Sequence, residues 1–269
     1  MTLLHHALRA GRSNARAATA PSSGVVVAGG GGALGSAVLE HLLASRRFAP
    51  VRVLVTRNVH VAVAGLEPLV ADPPLDAGDE HSSALPLAST AVVVFDRPRH
   101  ANGRELAFTR PQPEALPALA RWLWQRGVRQ LVVVLPHSPA GLPQAMQAGL
   151  ANLDEHAVSA LGFEHLVFVR SAQAASGARS ARWLQRVADA LLAQFSIMVA
   201  APQQPVRARK VAQLVVALAQ QLPNSPPGTR VAPPELVWQA AQAADPAALV
   251  GAWLAGEVLP VVSAPRQRL

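Results

Sequence analysis

The chain has no cysteine, no tyrosine and a single lysine, Lys210, among its 24 basic residues. Without cysteine there is no disulfide framework, no thiolate nucleophile and no Cys-ligated zinc or iron–sulfur site. An oxidising compartment is not needed, which makes cytoplasmic residence the expectation. Aromatic residues are 4% of the chain, so the interleaving of rings and cations that marks a nucleic-acid surface is missing. The formal charge of +8 reads instead as arginine-rich composition on a generally basic surface. No gap-free apolar run reaches the ~18 residues of a membrane span. Charge itself is scarce: 15% of residues are charged against 51% hydrophobic, a balance that offsets the entropy of ordering and implies a folded chain.

At 269 residues the length suits one large domain. Residues 1–23 hold Arg9, Arg12 and Arg16 and no acid, and read as a flexible basic tail, a composition shared with organellar transit peptides. From Gly24 onward short β-branched runs alternate with longer amphipathic segments, the rhythm of βαβ units and a parallel sheet. Strands are predicted at Val25–Ala28, Val51–Thr56, Leu66–Ala71, Ala91–Phe95, Leu131–Leu135 and Leu166–Arg170, with a weaker one near Arg230–Val231. Leu116, Leu119, Ala120 and Leu123 make one helical stripe, and Met146, Leu150, Leu153, Ala157 and Leu161 another. A third helix is expected near Ala181–Gln194, its Arg179, Arg182 and Arg186 forming a solvated face. Helices near Arg207–Gln221, Glu235–Gln242 and Ala247–Ala255 follow, the region from about residue 200 to 269 reading as a small C-terminal helical lobe of the single domain 24–269.

The segment from Gly24 to Glu40 sets the strand Val25–Ala28 directly before Gly29-Gly-Gly-Gly32-Ala-Leu-Gly35. In such a G-x-x-G-x-x-G turn the first glycine permits the tight bend, the second lets backbone N–H groups approach a pyrophosphate, and the third packs the helix on the strand. Gly29, Gly32, Ala33, Leu34 and Gly35 are therefore the candidate phosphate-binding residues, at a helix N-terminus whose partial positive charge suits an anion. The fold class this implies is α/β, a Rossmann-type doubly wound parallel sheet. A Walker loop is excluded, since Gly-Lys-Ser/Thr never occurs. After the second strand the chain reads Thr56-Arg57-Asn58, and no acid stands between Arg52 and Leu66. NAD-selective proteins usually place a carboxylate here for the ribose hydroxyls, whereas Arg57, with Thr56 and Asn58, suits the 2′-phosphate of NADP. NADP is the expected cofactor, with NAD as the alternative.

The glycine spacing, the strand order and the stretch Leu161-Gly-Phe-Glu-His-Leu-Val-Phe-Val-Arg170 resemble atypical or extended short-chain dehydrogenase/reductases. Within these the chain is similar to the NmrA-like and Tat-interacting-protein-like NAD(P)-binding proteins, which are nucleoside-diphosphate-sugar epimerase-like. The resemblance covers about residues 24–220 and is specific at the glycine turn. It places Asp72 where such proteins touch adenine, although Asp72 reads equally as a turn acid before Pro73 and Pro74. It also implies a catalytic tyrosine with a lysine four residues later. This chain has Gln147 and Ala151 at those places, and Lys210 reads as a surface charge at a helix start.

Other groups near the expected active site are His137 and Ser138, after the fifth strand. His137 is the candidate acid or base, read alternatively as a loop histidine fixed by Pro136 and Pro139. Asp76, Asp79, Glu80 and His81 lack metal-ligand spacing, and no metal is expected. The leading expectation is an NAD(P)-binding protein without the usual Tyr/Lys chemistry, acting as a cofactor-dependent regulatory or sensing module toward a small molecule or protein partner. The alternatives are an NADP-dependent oxidoreductase or epimerase using His137, and a scaffold that keeps the fold without cofactor. Trp122 and Trp124 lie off the Leu116 stripe, so at least one is expected to face outward and to favour a homodimer, or alternatively to pack beneath the C-terminal lobe.

Overall fold

Near-continuous apolar runs are stable as strands only where both faces are covered, and parallel pairing with crossover helices provides that cover. The computed structural model describes residues 24–59, 63–71, 87–96, 105–136, 155–171 and 206–257. Within them the runs become β1 (Val25–Ala28), β2 (Val51–Val55), β3 (Leu66–Val70), β4 (Thr90–Val94), β5 (Gln130–Pro136), β6 (His165–Ser171) and β7 (Gly228–Ala232). All pair in parallel, in the order β3-β2-β1-β4-β5-β6-β7. The expected doubly wound sheet is therefore present, and its topological switch point lies between β1 and β4.

Alternation along each strand divides the core in two. Val25 and Val27 of β1, with Val53, Val92 and Val94, pack against Leu34, Val38 and Leu42 of helix α1 (Gly32–Ser45) and against Leu214, Val215 and Leu218 of helix α3 (Ala208–Gln221). Val26, Ala28, Leu54 and Val93 face the opposite way, onto Leu116, Leu119 and Leu123 of helix α2 (Leu116–Gln125) and onto Val158 in the helical residues 155–159. Helices α4 (Pro234–Gln242) and α5 (Ala247–Leu254) pack on α3 as the C-terminal helical group. The strands at the two edges, β3 and β7, are mostly solvent-exposed. Between β4 and β5 a buried Thr90 Oγ1 donates to Gln130 Oε1 at 2.7 Å, satisfying both polar groups inside the sheet.

The tail 1–23, the helix expected near 181–194 and all but the last turn of the Met146 stripe lie outside the described residues. Among the described residues no helix is long and apolar enough to cross a membrane.

Candidate functional site

The turn after β1 is a place where glycine is demanded by contact. Gly29 has φ +89°, and a β-carbon there would lie 2.0 Å from the carbonyl oxygen of Val94 at the end of β4. At Gly35 a β-carbon would lie 1.9 Å from the carbonyl oxygen of Gly29, so α1 rests directly on the turn. These are the tight-bend and close-packing roles that the spacing implies for the first and third glycines. Gly30 is equally confined, 2.7 Å from Val53 Cγ2 and 2.9 Å from Leu39 Cδ1 for the same added atom. The motif leaves that position free, so only the packing reveals it.

Helix α1 begins without a side-chain cap at Gly31 and without an acid in its first turn. Its orphan donors are met from far along the chain. Leu34 N–H donates to Asp96 Oδ2 at 2.5 Å and Gly35 N–H to the same oxygen at 3.3 Å, across 62 and 61 residues of sequence. Asp96 stands two residues past the end of β4, and its carboxylate occupies the positive end of the helix dipole. Nothing in the local sequence marks this residue.

A second segment crosses the same end of the sheet. Residues Glu105–Ala107 form a single 3₁₀ turn, after which Phe108 bridges Val55 in antiparallel sense. Thr56 N–H donates to Ala107 O at 2.9 Å and Thr109 N–H to Leu54 O at 3.0 Å, while Thr109 Oγ1 donates to Ala71 O at 3.1 Å. β1 pairs with β2 only as far as Val27 opposite Val53. The strap thus joins β2 along the edge that β1 leaves when it turns at Gly29. Phe108 Cδ1 would be 3.0 Å from a β-carbon at Gly30, and Pro111 Cδ 3.4 Å from one at Gly29. Between Thr109 and Pro111, Arg110 has a buried Nη2 without a hydrogen-bond partner among the described residues.

The residues singled out from sequence fall as follows. Gly29, Gly32, Ala33, Leu34, Gly35 and Thr56 are brought to one end of the sheet, with Arg57 and Asn58 exposed just beyond β2. Ala33 is half-buried in the first turn of α1, and Leu34 is in the core. Thr56 is turned to the strap: its Oγ1 lies 3.4 Å from the carbonyl oxygens of both Leu106 and Ala107. His137, Ser138, Asp72, Gln147, Ala151 and the Asp76 cluster lie outside the described residues. Lys210 is not a loose surface charge; its Nζ donates to Ala243 O at 2.7 Å and caps the C-terminal end of α4. His165 lies at the opposite, N-terminal end of the sheet. It is buried, with Nε2 3.7 Å from Glu164 and Nδ1 3.4 Å from Ser225 Oγ. Burial holds its pKa below the ordinary histidine value; Glu164 pulls it up, and Arg230 pushes it down.

A pyrophosphate is compatible with three features of this end of the sheet: a helix N-terminus whose two N–H groups already hold an anionic oxygen, glycines with no room for a side chain, and an arginine nitrogen without a hydrogen-bond partner among the described residues. The fold and the turn define a Rossmann-type parallel sheet with a glycine-rich turn at its switch point. No family model and no curated protein matches the sequence. Among solved structures the chain is similar to a nucleoside-diphosphate-sugar epimerase from Staphylococcus aureus, at 14% identity over 77% of this chain and 70% of that one, with a TM-score of 0.46. It is also similar to a putative epimerase from Bacteroides thetaiotaomicron, at 18% identity over 60% and 76% of the two chains, TM-score 0.35. A third similar structure is that of gox2253, at 18% identity over 88% and 84%, TM-score 0.43.

Proposed function

We propose that the chain binds a dinucleotide of the NAD(P) type at the glycine turn and serves as a cofactor-dependent regulatory or sensing module. The observation that carries this reading is the pair of N–H groups of Leu34 and Gly35 gripping one carboxylate oxygen at the mouth of the turn, since the same donors suit a phosphate oxygen. Leu34 and Gly35 would hold the pyrophosphate, Arg110 would add a cation, and Arg57 with Asn58 would meet the 2′-phosphate of NADP. A bound nicotinamide supplies hydride transfer. The acid–base pair that the resembled reductases use beside it is missing, because there is no tyrosine and the one lysine is engaged at Ala243 O. A scaffold reading draws on one observation as well: Thr56 N–H and the two helix N–H groups are all satisfied internally.

Calorimetric titration with NADPH and NADH tests the proposal on wild type, Ala33→Asp and Arg57→Ala. An aspartate in the first turn suits the helix dipole, so the fold is retained, but it sets a second negative charge against the phosphates. Gly32→Val is less clean, because Gly32 has φ +85° and a β-branched residue there strains the backbone itself. Wild type is expected to bind NADPH more tightly than NADH. Ala33→Asp should weaken both, and Arg57→Ala should weaken NADPH roughly tenfold or more with little change for NADH. Equal dinucleotide affinity in wild type and Ala33→Asp would overturn the reading in favour of the scaffold.

A further inference from the structure

We infer that this end of the sheet is self-inhibited, with Asp96 as an internal anion that a phosphate-bearing ligand has to displace. The inference rests on the dinucleotide reading and adds how entry to that site is controlled. Asp96 Oδ2 takes both the Leu34 and the Gly35 N–H group. Each of these donors has one hydrogen, so neither can serve a ligand phosphate at full strength while the carboxylate stays. Two anions sharing a partly buried site also repel, by an amount that rises as the local dielectric falls. Asp96 and a phosphate are therefore mutually exclusive partners of α1.

The surroundings are arranged so that the exchange is local. The backbone is anchored up to the preceding residue, where Phe95 is buried and its N–H donates to Val134 O at 3.0 Å. Asp96 itself is half-buried at the C-terminal end of β4. Rotation about its own side-chain bonds frees the two donors without disturbing the sheet. The strap closes the other half of the same site, since Ala107 O holds the Thr56 N–H that borders the ribose position proposed above. Both halves of the site are thus filled by the chain itself.

Charge removal separates these ideas. Asp96→Asn keeps the shape and an oxygen that can still accept from Leu34 and Gly35, while Asp96→Ala removes the acceptor altogether. Binding of NADPH, inorganic pyrophosphate and adenosine to the full chain is measured by calorimetry for wild type and both variants, with circular dichroism as the check of folding. Both variants are expected to bind NADPH and pyrophosphate roughly tenfold or more tightly than wild type, and adenosine, which carries no phosphate, without change. If Asp96→Ala does not fold, Asp96→Asn carries the comparison alone. Equal NADPH affinity in all three proteins would overturn self-inhibition and leave the dinucleotide reading standing. Weaker NADPH binding in the variants would overturn it by making Asp96 a support of the ligand site, and an equal gain for adenosine would overturn displacement by an anion. No binding of NADPH by any of the three would overturn both proposals together.

Discussion

A β-carbon at Gly35 would have to share space with a backbone oxygen, that of Gly29, at 1.9 Å. No side-chain rotation relieves such a contact; either α1 lifts from the sheet or the turn opens. Gly35→Ala is therefore expected to cost about 3 kcal/mol, the upper part of the usual range for overpacking, seen as a lower urea midpoint with an unchanged slope. A midpoint equal to that of wild type would mean that α1 does not rest on the turn. At the other end of the sheet, His165 makes a pH prediction. Burial lowers its pKa in the folded chain, so as pH falls past the unfolded value of about 6.5 the unfolded chain takes up the proton first. Stability that is complete above that pH is then lost progressively down to the folded pKa. The unfolding free energy of wild type should drop as pH is lowered below about 6.5, and the drop should be smaller in His165→Asn. Parallel pH curves for the two proteins would remove His165 as the source.

At the scale of elements, helix α2 shows how far periodicity reaches. Leu116, Leu119, Ala120 and Leu123 are buried on one face as the 3.6-residue pattern requires. The two tryptophans flank that face, and pattern alone assigns neither of them. Trp122 is buried, with 7% of its surface accessible, whereas Trp124 is 37% exposed. The guanidinium carbons of Arg126 and Arg129 lie 5.0 and 5.4 Å from the respective ring centroids. Trp122→Ser would open the core, so a double substitution confounds folding with association. Trp124→Ser alone is the proper test of the proposed homodimer. We expect its sedimenting mass to fall to that of a monomer while its melting temperature stays within a few degrees of wild type. A monomeric mass for wild type itself would remove the dimer.

For the whole molecule, the sheet was legible because its signals are local. Parallel strands covered on both faces must be apolar along their length, and each predicted run becomes a strand with ends displaced by at most one residue, or two for β7. The glycine turn was legible for the same reason, since the demands on Gly29 and Gly35 come from residues at fixed spacing around one bend. What the turn presents to a ligand was decided by tertiary structure. The donors of α1 require an acceptor, and any acid or carbonyl brought within reach would serve; that Asp96 is the one follows from β4 lying beside β1. The strap needs the free edge of β2 beyond Val53, which exists only once β1 has turned away. Lys210 reaches Ala243 O because α3 and α4 pack together. The sequence by itself therefore determined the strands, the sheet class and the glycine turn, through periodicity and steric rules that act over a few residues. The tertiary structure alone decided which groups occupy that turn, because hydrogen-bond partners 51 to 62 residues apart are chosen by proximity in space, which no local spacing encodes.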